Sequence, residues 1–290
     1  MTKGHDDSDA TLTEQVVASF ARTPDARLRT LMQSLVRHIH AFVRETEPTE
    51  AEWMSAIRFL TQTGKMCDDV VRQEFILLSD TLGVSMLVDA INHRVATGAT
   101  DTTVFGPFYI EGMPERAYGE NMAFTDGSPA VVHGHVRSTD GIPIPNAVLD
   151  VWQTAQNGMY SGQDTAQPLG NLRGRYRTDA EGRYAIVTIL PVSYPIPTDG
   201  PVGKMLDATG RHPWRPAHLH FMIDAPGHRT LVTHVFDEND QYLGSDAVFG
   251  VKPSLMVRYR ERPAGDECAR RFNMSGPYRE AQYDFVLDRS

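Results

Sequence analysis

The chain has almost no cysteine. Its 290 residues hold two, Cys67 and Cys268, with no Cys-x-x-Cys pair. That excludes a thiolate zinc site and a disulfide scaffold, and it leaves two reduced thiols of the kind a cytoplasmic protein carries. No run approaches the roughly 18 apolar residues of a membrane span. The opening Met-Thr-Lys-Gly-His-Asp-Asp-Ser-Asp has neither the basic nor the apolar region of a signal peptide. Positive charge is also short: 28 Lys and Arg stand against 37 Asp and Glu, a net −9. A nucleic-acid partner calls for a basic patch, so none is expected. Gly-x-Ser-x-Gly, P-loop and dinucleotide fingerprints are missing, as are repeats and low-complexity tracts. What remains is an ordinary globular mix, 41% hydrophobic and 22% charged, long enough for two units.

The first part reads as helical. Residues 1–10 are polar and expected to be a disordered tail. Leu12, Val16, Val17 and Phe20 begin a helical spacing. Thr23-Pro24-Asp25 reads as an N-cap, a Pro at the first helical position and an acid in the first turn. Leu28, Leu31, Met32, Leu35, Ile39, Phe42 and Val43 then form an apolar stripe of period 3.6. Thr49 and Glu52 form a capping box for a helix that Gly64 ends. Further helices are expected from about Asp68 to Asp80 and from Val84 to about His93. His38 and His40 face different sides of their helix and cannot share a metal. Residues 11–100 thus form an all-α dimerisation and linker domain.

From Ala130 the texture changes. Residues 131–136, 147–153, 182–189, 217–224, 231–236 and 247–252 read as short strands, and 278–286 as a returning edge strand. Turn residues lie between them, at Asp140-Gly141, Asn157-Gly158 and Ala225-Pro226-Gly227. The fold class is therefore mainly β with a helical N-terminal domain. Residues 101–290 are expected to form an antiparallel β-sandwich catalytic domain.

The chemistry gathers in Arg215-Pro-Ala-His218-Leu-His220. Residues i and i+2 of a strand point to one face, so both imidazoles can reach one point. Upstream, residues 191–203 hold Tyr194 in a loop stiffened by proline and read as non-helical. Tyr160 follows the Asn157-Gly158 turn. Two Tyr with two His suit a hard, highly charged ion, because a phenol of pKa near about 10 is ionised at neutral pH only by such a metal. The set points to Fe(III). His133-Gly134-His135 is a rival pair without a rigid tyrosine loop beside it; a solvated strand face is expected there.

Trp152…Gly158-x-Tyr160, Tyr194-Pro-Ile-Pro-Thr-Asp-Gly-Pro and Arg215-Pro-Ala-His218-Leu-His220, in this order, resemble the intradiol ring-cleaving dioxygenases. The resemblance covers nearly the whole chain and is strongest to the members that cleave hydroxyquinol. It implies one Fe(III) per subunit on Tyr160, Tyr194, His218 and His220. It also implies that Tyr194 leaves the metal and acts as a base, and that Arg215 stabilises negative charge on the ring. The partners implied are a phenolic diol or triol and O2. A homodimer through the N-terminal helices is implied as well, with lipid carried between the helices in relatives. Leu77, Asp80, Val104, Phe105, Gly106, Pro107, Phe108, Ile196, Pro197 and Val248 are the expected substrate-binding residues. His234 replaces a glutamine of catechol-cleaving relatives and is expected beside the ligands. Asp80 favours hydroxyquinol, whose extra hydroxyl would give a buried carboxylate a donor. Catechol or a chlorocatechol is the alternative substrate. A non-catalytic β-sandwich binding module is the alternative class; it leaves the Tyr-Pro-Ile-Pro loop unexplained.

Overall fold

The computed structural model describes residues 5–68, 72–94 and 98–290. The chain divides into two compact units, Met1–Thr61 and Gln62–Ser290. The first unit holds α1 (His5–Ser19), α2 (Ala26–Thr46) and most of α3 (Glu50–Lys65). Helix α1 begins inside the stretch expected to be tail. Asp25 caps α2, its Oδ1 accepting from Leu28 N at 2.8 Å, so Thr23 and Pro24 precede the cap. The Thr49–Glu52 box closes as expected: Glu52 accepts from Thr49 N at 2.8 Å, and Glu52 N donates to Thr49 Oγ1. Thr13 fastens α1 to α2 through His40 and Arg44.

The larger unit opens with α4 (Glu74–Thr81) and α5 (Val84–Asn92), joined at Gly83 in the left-handed region, φ 72°. The helix expected from Asp68 starts only at Glu74; residues 69–71 of that expectation lie outside the described residues. The break in packing falls between Thr61 and Gln62, ahead of α4 and α5. Helices α4 and α5 join the second unit because its loops hold them. Arg211 donates to Thr81 O, and Lys252 lies 3.7 Å from Asp89.

Two sheets follow. The chain runs through β1 (Pro129–Ser138), β2 (Val148–Trp152), β3 (Arg173–Arg177), β4 (Arg183–Ile189), β5 (Tyr194–Pro195), α6 (Pro201–Ala208), β6 (Trp214–Arg215), β7 (His218–Asp224), β8 (Leu231–Asp237), β9 (Met256–Val257), β10 (Arg260–Arg262), α7 (Glu267–Arg271), β11 (Tyr278–Gln282) and β12 (Phe285–Leu287). One sheet has the order β10-β11-β1-β12, with β4 also on β1; the other is β3-β2-β7-β8-β9. Val132, Val136 and Ile186 of the first meet Leu149, Val151, Leu219, Phe221 and Val235 of the second in one buried core. This is a sandwich, antiparallel except where β11 and β12 lie parallel to β1 and β9 lies parallel to β8.

Four local features depart from the sequence expectation. The segment 247–252 is no strand, because the Asp246 carboxylate takes the amides of Val248 and Gly250. Residues 201–208 are helical, with Pro201 in the first turn, so the stiff loop ends at Gly200. Strand β3, Arg-Gly-Arg-Tyr-Arg, carries one large core residue, Tyr176, and so shows no apolar alternation to read. The segment expected as one edge strand, 278–286, is split between β11 and β12.

Candidate active site

Alternation along β7 sends Leu219, Phe221 and Ile223 into the core and leaves His218 and His220 on the opposite face. The short β5–β6 ladder sets Tyr194 directly opposite Arg215. Tyr160 arrives from the turn after β2. The four side chains are buried to 4% exposure or less, and their polar atoms converge. Tyr160 Oη lies 2.8 Å from both Tyr194 Oη and His220 Nε2. Tyr194 Oη lies 3.4 Å from His218 Nε2, and the two Nε2 atoms are 3.2 Å apart.

The surroundings select the protonation states. His218 Nδ1–H donates to the Pro216 carbonyl at 2.6 Å, which leaves the lone pair on Nε2, facing the cluster. Burial drives His218, His220 and His234 well below the usual imidazole pKa, with the Arg215 charge adding to the effect. Burial lifts both phenols; for Tyr160 the Tyr194 oxygen adds to the rise, whereas for Tyr194 the Arg215 charge opposes it. Two phenol oxygens and two imidazole nitrogens are thus linked by contacts of 2.8–3.4 Å. While the phenols keep their protons these contacts are O–H···O and O–H···N hydrogen bonds; with those protons displaced, the same four atoms form a ready donor set for a cation. Asp246 is the carboxylate beside this cluster, and it is committed to Arg215 at 3.1 Å. A carboxylate-rich site for Zn(II) or Fe(II) is therefore not what these residues build. His234 joins His218 and His220 in a group whose ligand atoms all lie within 4.8 Å. Its ring centroid is 4.2 Å from that of His220, and its Nε2 is buried without a partner.

Burial lowers the Arg215 pKa, but Asp246 and the two tyrosines more than offset it and hold the guanidinium firmly charged. Its Nη1 stands 3.4 Å from Tyr194 Oη and 3.2 Å from His218 Nε2. Trp152 stacks on His220, centroids 4.7 Å apart at 14°. Phe108 stacks on Tyr160 at 4.6 Å. Beyond Phe108 opens a cleft of about 640 Å³, lined by Leu77, Pro107, Phe108, Met159, Ile196 and Pro197 among others. Five of the ten expected substrate-binding residues therefore line it: Leu77, Pro107, Phe108, Ile196 and Pro197. Gly106 instead lies over His220, where an added Cβ would come 3.3 Å from Cε1. Phe105 packs on Tyr109 and Trp152. Val104, Val248 and Asp80 are buried and form no part of that lining. Asp80 already has a donor in Ser85; burial raises its carboxyl while Ser85 and Arg215 oppose the rise.

The rival His133-Gly134-His135 is taken up by other partners: His133 contacts Glu280 at 3.1 Å and His135 contacts Asp284 at 3.3 Å. Sequence reasoning missed Asp246, Trp152 as a packing surface for His220, and Arg173. Only Trp152 had a signal, its place in the motif; the two charged residues have no local pattern.

A dioxygenase family matches residues 104–289, and the family described as catechol dioxygenase N terminus matches residues 25–100. The chain is 51% identical to a 6-chlorohydroxyquinol 1,2-dioxygenase of Cupriavidus pinatubonensis, over 96% of both chains. It is 47% identical to a hydroxyquinol 1,2-dioxygenase of Rhizobium sp., over 95% of this chain and 94% of that protein. The solved structure of hydroxyquinol 1,2-dioxygenase from Pseudomonas putida DLL-E4 superposes with a TM-score of 0.94 at 65% identity, covering 98% of this chain and 99% of that one. With the two-tyrosine, two-histidine cluster at its centre, the chain belongs to the intradiol ring-cleavage dioxygenases and is an enzyme.

Proposed function

We propose that the enzyme cleaves hydroxyquinol (benzene-1,2,4-triol) with O2 between its adjacent hydroxyl-bearing carbons. The product is 3-hydroxy-cis,cis-muconate, equivalently maleylacetate, a step of aromatic breakdown. The observation that carries this reading is the convergence of Tyr160, Tyr194, His218 and His220 at 2.8–3.4 Å, in a chain about half identical to hydroxyquinol-cleaving relatives. One Fe(III) per subunit fits these four donors. When bound, it supplies the Lewis acidity that ionises the two ring hydroxyls and lets the ring electrons react with O2.

The chain's own groups do the rest. With its phenol ionised as a ligand, Tyr194 would accept a proton from one substrate hydroxyl at its Oη, and the Arg215 charge beside it favours the ionised form that this requires. Tyr160, wedged between Phe108 and the cluster, stays in place. Arg215, held by Asp246, stabilises negative charge developing on the ring; such a partner contributes on the order of 10²–10³ in kcat. Leu77, Pro107, Phe108, Ile196 and Pro197 clasp the ring's apolar faces. His234 packs against His220 and orients it. Asp80 lies within the field of Arg215 and is proposed to favour the additional hydroxyl of hydroxyquinol.

Leu28, Leu31, Leu35, Ile39 and Phe42 stand about half exposed along α2. An apolar stripe of this length calls for cover, which supports a homodimer through the helices and a lipid lodged among them. No described helix is long and apolar enough to cross a membrane, and a cytoplasmic enzyme fits the two free cysteines.

Visible spectroscopy of purified protein, before and after anaerobic hydroxyquinol or catechol, tests the reading. A tyrosinate-to-Fe(III) band that shifts with hydroxyquinol is expected. A shift with catechol alone replaces the substrate and keeps the metal. A protein that stays colourless after iron addition overturns the enzyme's proposed metal.

A further inference from the structure

One row of the second sheet carries Arg173, Trp152, His220 and His234 on neighbouring strands, β3 to β8. Cross-strand partners show the same face of a sheet, so Arg173 belongs to the site side. Its side chain is almost fully buried. Its Nε donates to Ser161 Oγ at 2.8 Å, and that hydroxyl donates to the Leu169 carbonyl at 2.7 Å. Its Cζ lies 5.8 Å from the centroid of the Tyr160 ring. Burial depresses the guanidinium to about 10, still charged at neutral pH, and Tyr160 is the group that opposes the depression.

Arg173 makes no salt bridge among the described residues, whereas Arg215, equally buried, has Asp246. A buried cation without an anion is costly, and once Tyr160 serves as a ligand its phenolate would be the anion next to Arg173. The two arginines also meet their tyrosines differently. Arg215 places an N–H within 3.4 Å of the Tyr194 oxygen, where it competes for the lone pairs a metal needs. Arg173 lies over the ring of Tyr160, a cation–π position that stabilises an electron-rich ring and leaves the oxygen free.

We propose that Arg173 is a positioning residue for Tyr160, its charge complementing the phenolate through the ring face so that Tyr160 remains the lasting protein oxygen ligand. This rests on the Fe(III) reading above.

The test compares iron-loaded wild type with Arg173→Gln, Arg173→Lys and Ser161→Ala, by iron content and visible absorption. Removing a positive charge beside the donor ring raises the energy of its electrons. The charge-transfer band of Arg173→Gln is expected at longer wavelength than in wild type. Arg173→Lys, which keeps the charge, should return the band most of the way to its wild-type position, and Ser161→Ala, which frees Nε, should show a smaller displacement in the direction of Arg173→Gln. A folded, iron-loaded Arg173→Gln protein with an unmoved band overturns the inference. If that variant does not fold, Ser161→Ala decides, and an unmoved band there overturns it equally. A wild type that takes up no iron removes the metal reading and this inference together. A coloured wild type with unshifted variants removes this inference alone.

Discussion

Tyr160 and Tyr194 are the same residue type 2.8 Å apart, yet their surroundings divide the chemistry. The charge nearest the Tyr194 oxygen is Arg215, and that arginine depends on Asp246. Replacing Arg215 by Met should lower kcat on the order of 10²–10³-fold with a smaller change in KM, read by initial-rate O2 uptake. Asp246→Asn should produce part of the same kcat loss, because it loosens Arg215 without removing it. Tyr160→Phe and Tyr194→Phe should each weaken the visible band or the iron content; full activity in either variant would take that tyrosine out of the ligand set. Asp80→Asn is expected to lower the preference for hydroxyquinol over catechol by about tenfold in kcat/KM. A ratio that stays within about twofold, a free-energy difference below roughly 0.5 kcal/mol, would make Asp80 a structural partner of Ser85.

At the scale of elements, two buried contacts hold the site's supports. Glu74, fully buried at the start of α4, accepts from Arg72 at 2.7 Å and from Val202 N at 3.1 Å. It ties α4 to the loop that leaves Tyr194 and enters α6. Glu74→Ala should cost on the order of 1–3 kcal/mol in denaturant unfolding, since it strands the buried Val202 amide and leaves Arg72 with Asp199 as its remaining partner. On β1, a Cβ at Gly134 would come 1.8 Å from the Tyr283 carbonyl. Gly134→Ala should therefore destabilise the sandwich on the order of 4 kcal/mol by forcing β1 and the β11–β12 connection apart. The His-x-His at 133–135 is thus a strand packed closely under another, with each imidazole beside an acid. Nothing in three residues of sequence could distinguish that from His218-Leu-His220.

For the whole molecule, the exposed stripe of α2 predicts association. Leu35→Glu with Ile39→Glu should convert a dimer to monomers in sedimentation equilibrium while leaving the helical circular dichroism intact. Acid sensitivity follows from the three buried imidazoles, whose folded pKa values lie well below 6.5. Above 6.5 they are neutral in both states and add no pH dependence. As pH falls below 6.5 the unfolded chain binds protons that the folded one refuses, so stability drops. The slope is at most about 1.4 kcal/mol per pH unit for each imidazole. Metal-free protein titrated by thermal melting from pH 8 to 5 should lose stability mainly in the lower half; a flat profile would mean that the imidazoles are not held neutral by burial.

Local chemistry determined much of this protein. The capping box at Thr49, the apolar period of α2, the alternation that puts His218 and His220 on one face, and the proline-stiffened approach to Tyr194 are short-range effects. Each is encoded within a few residues, and together with the ordered motifs they made the family legible. Tertiary structure alone decided the rest. Strand β3 exists because β2 offers it a ladder, not because Arg-Gly-Arg-Tyr-Arg prefers extension. Segment 247–252 fails to be a strand because a carboxylate takes its amides. Asp246 reaches Arg215 and Arg173 reaches Tyr160 across chain separations that carry no periodic signal. Charges find their partners through folding, and the protonation of two tyrosines and three histidines depends on which charges are left facing them once water is gone.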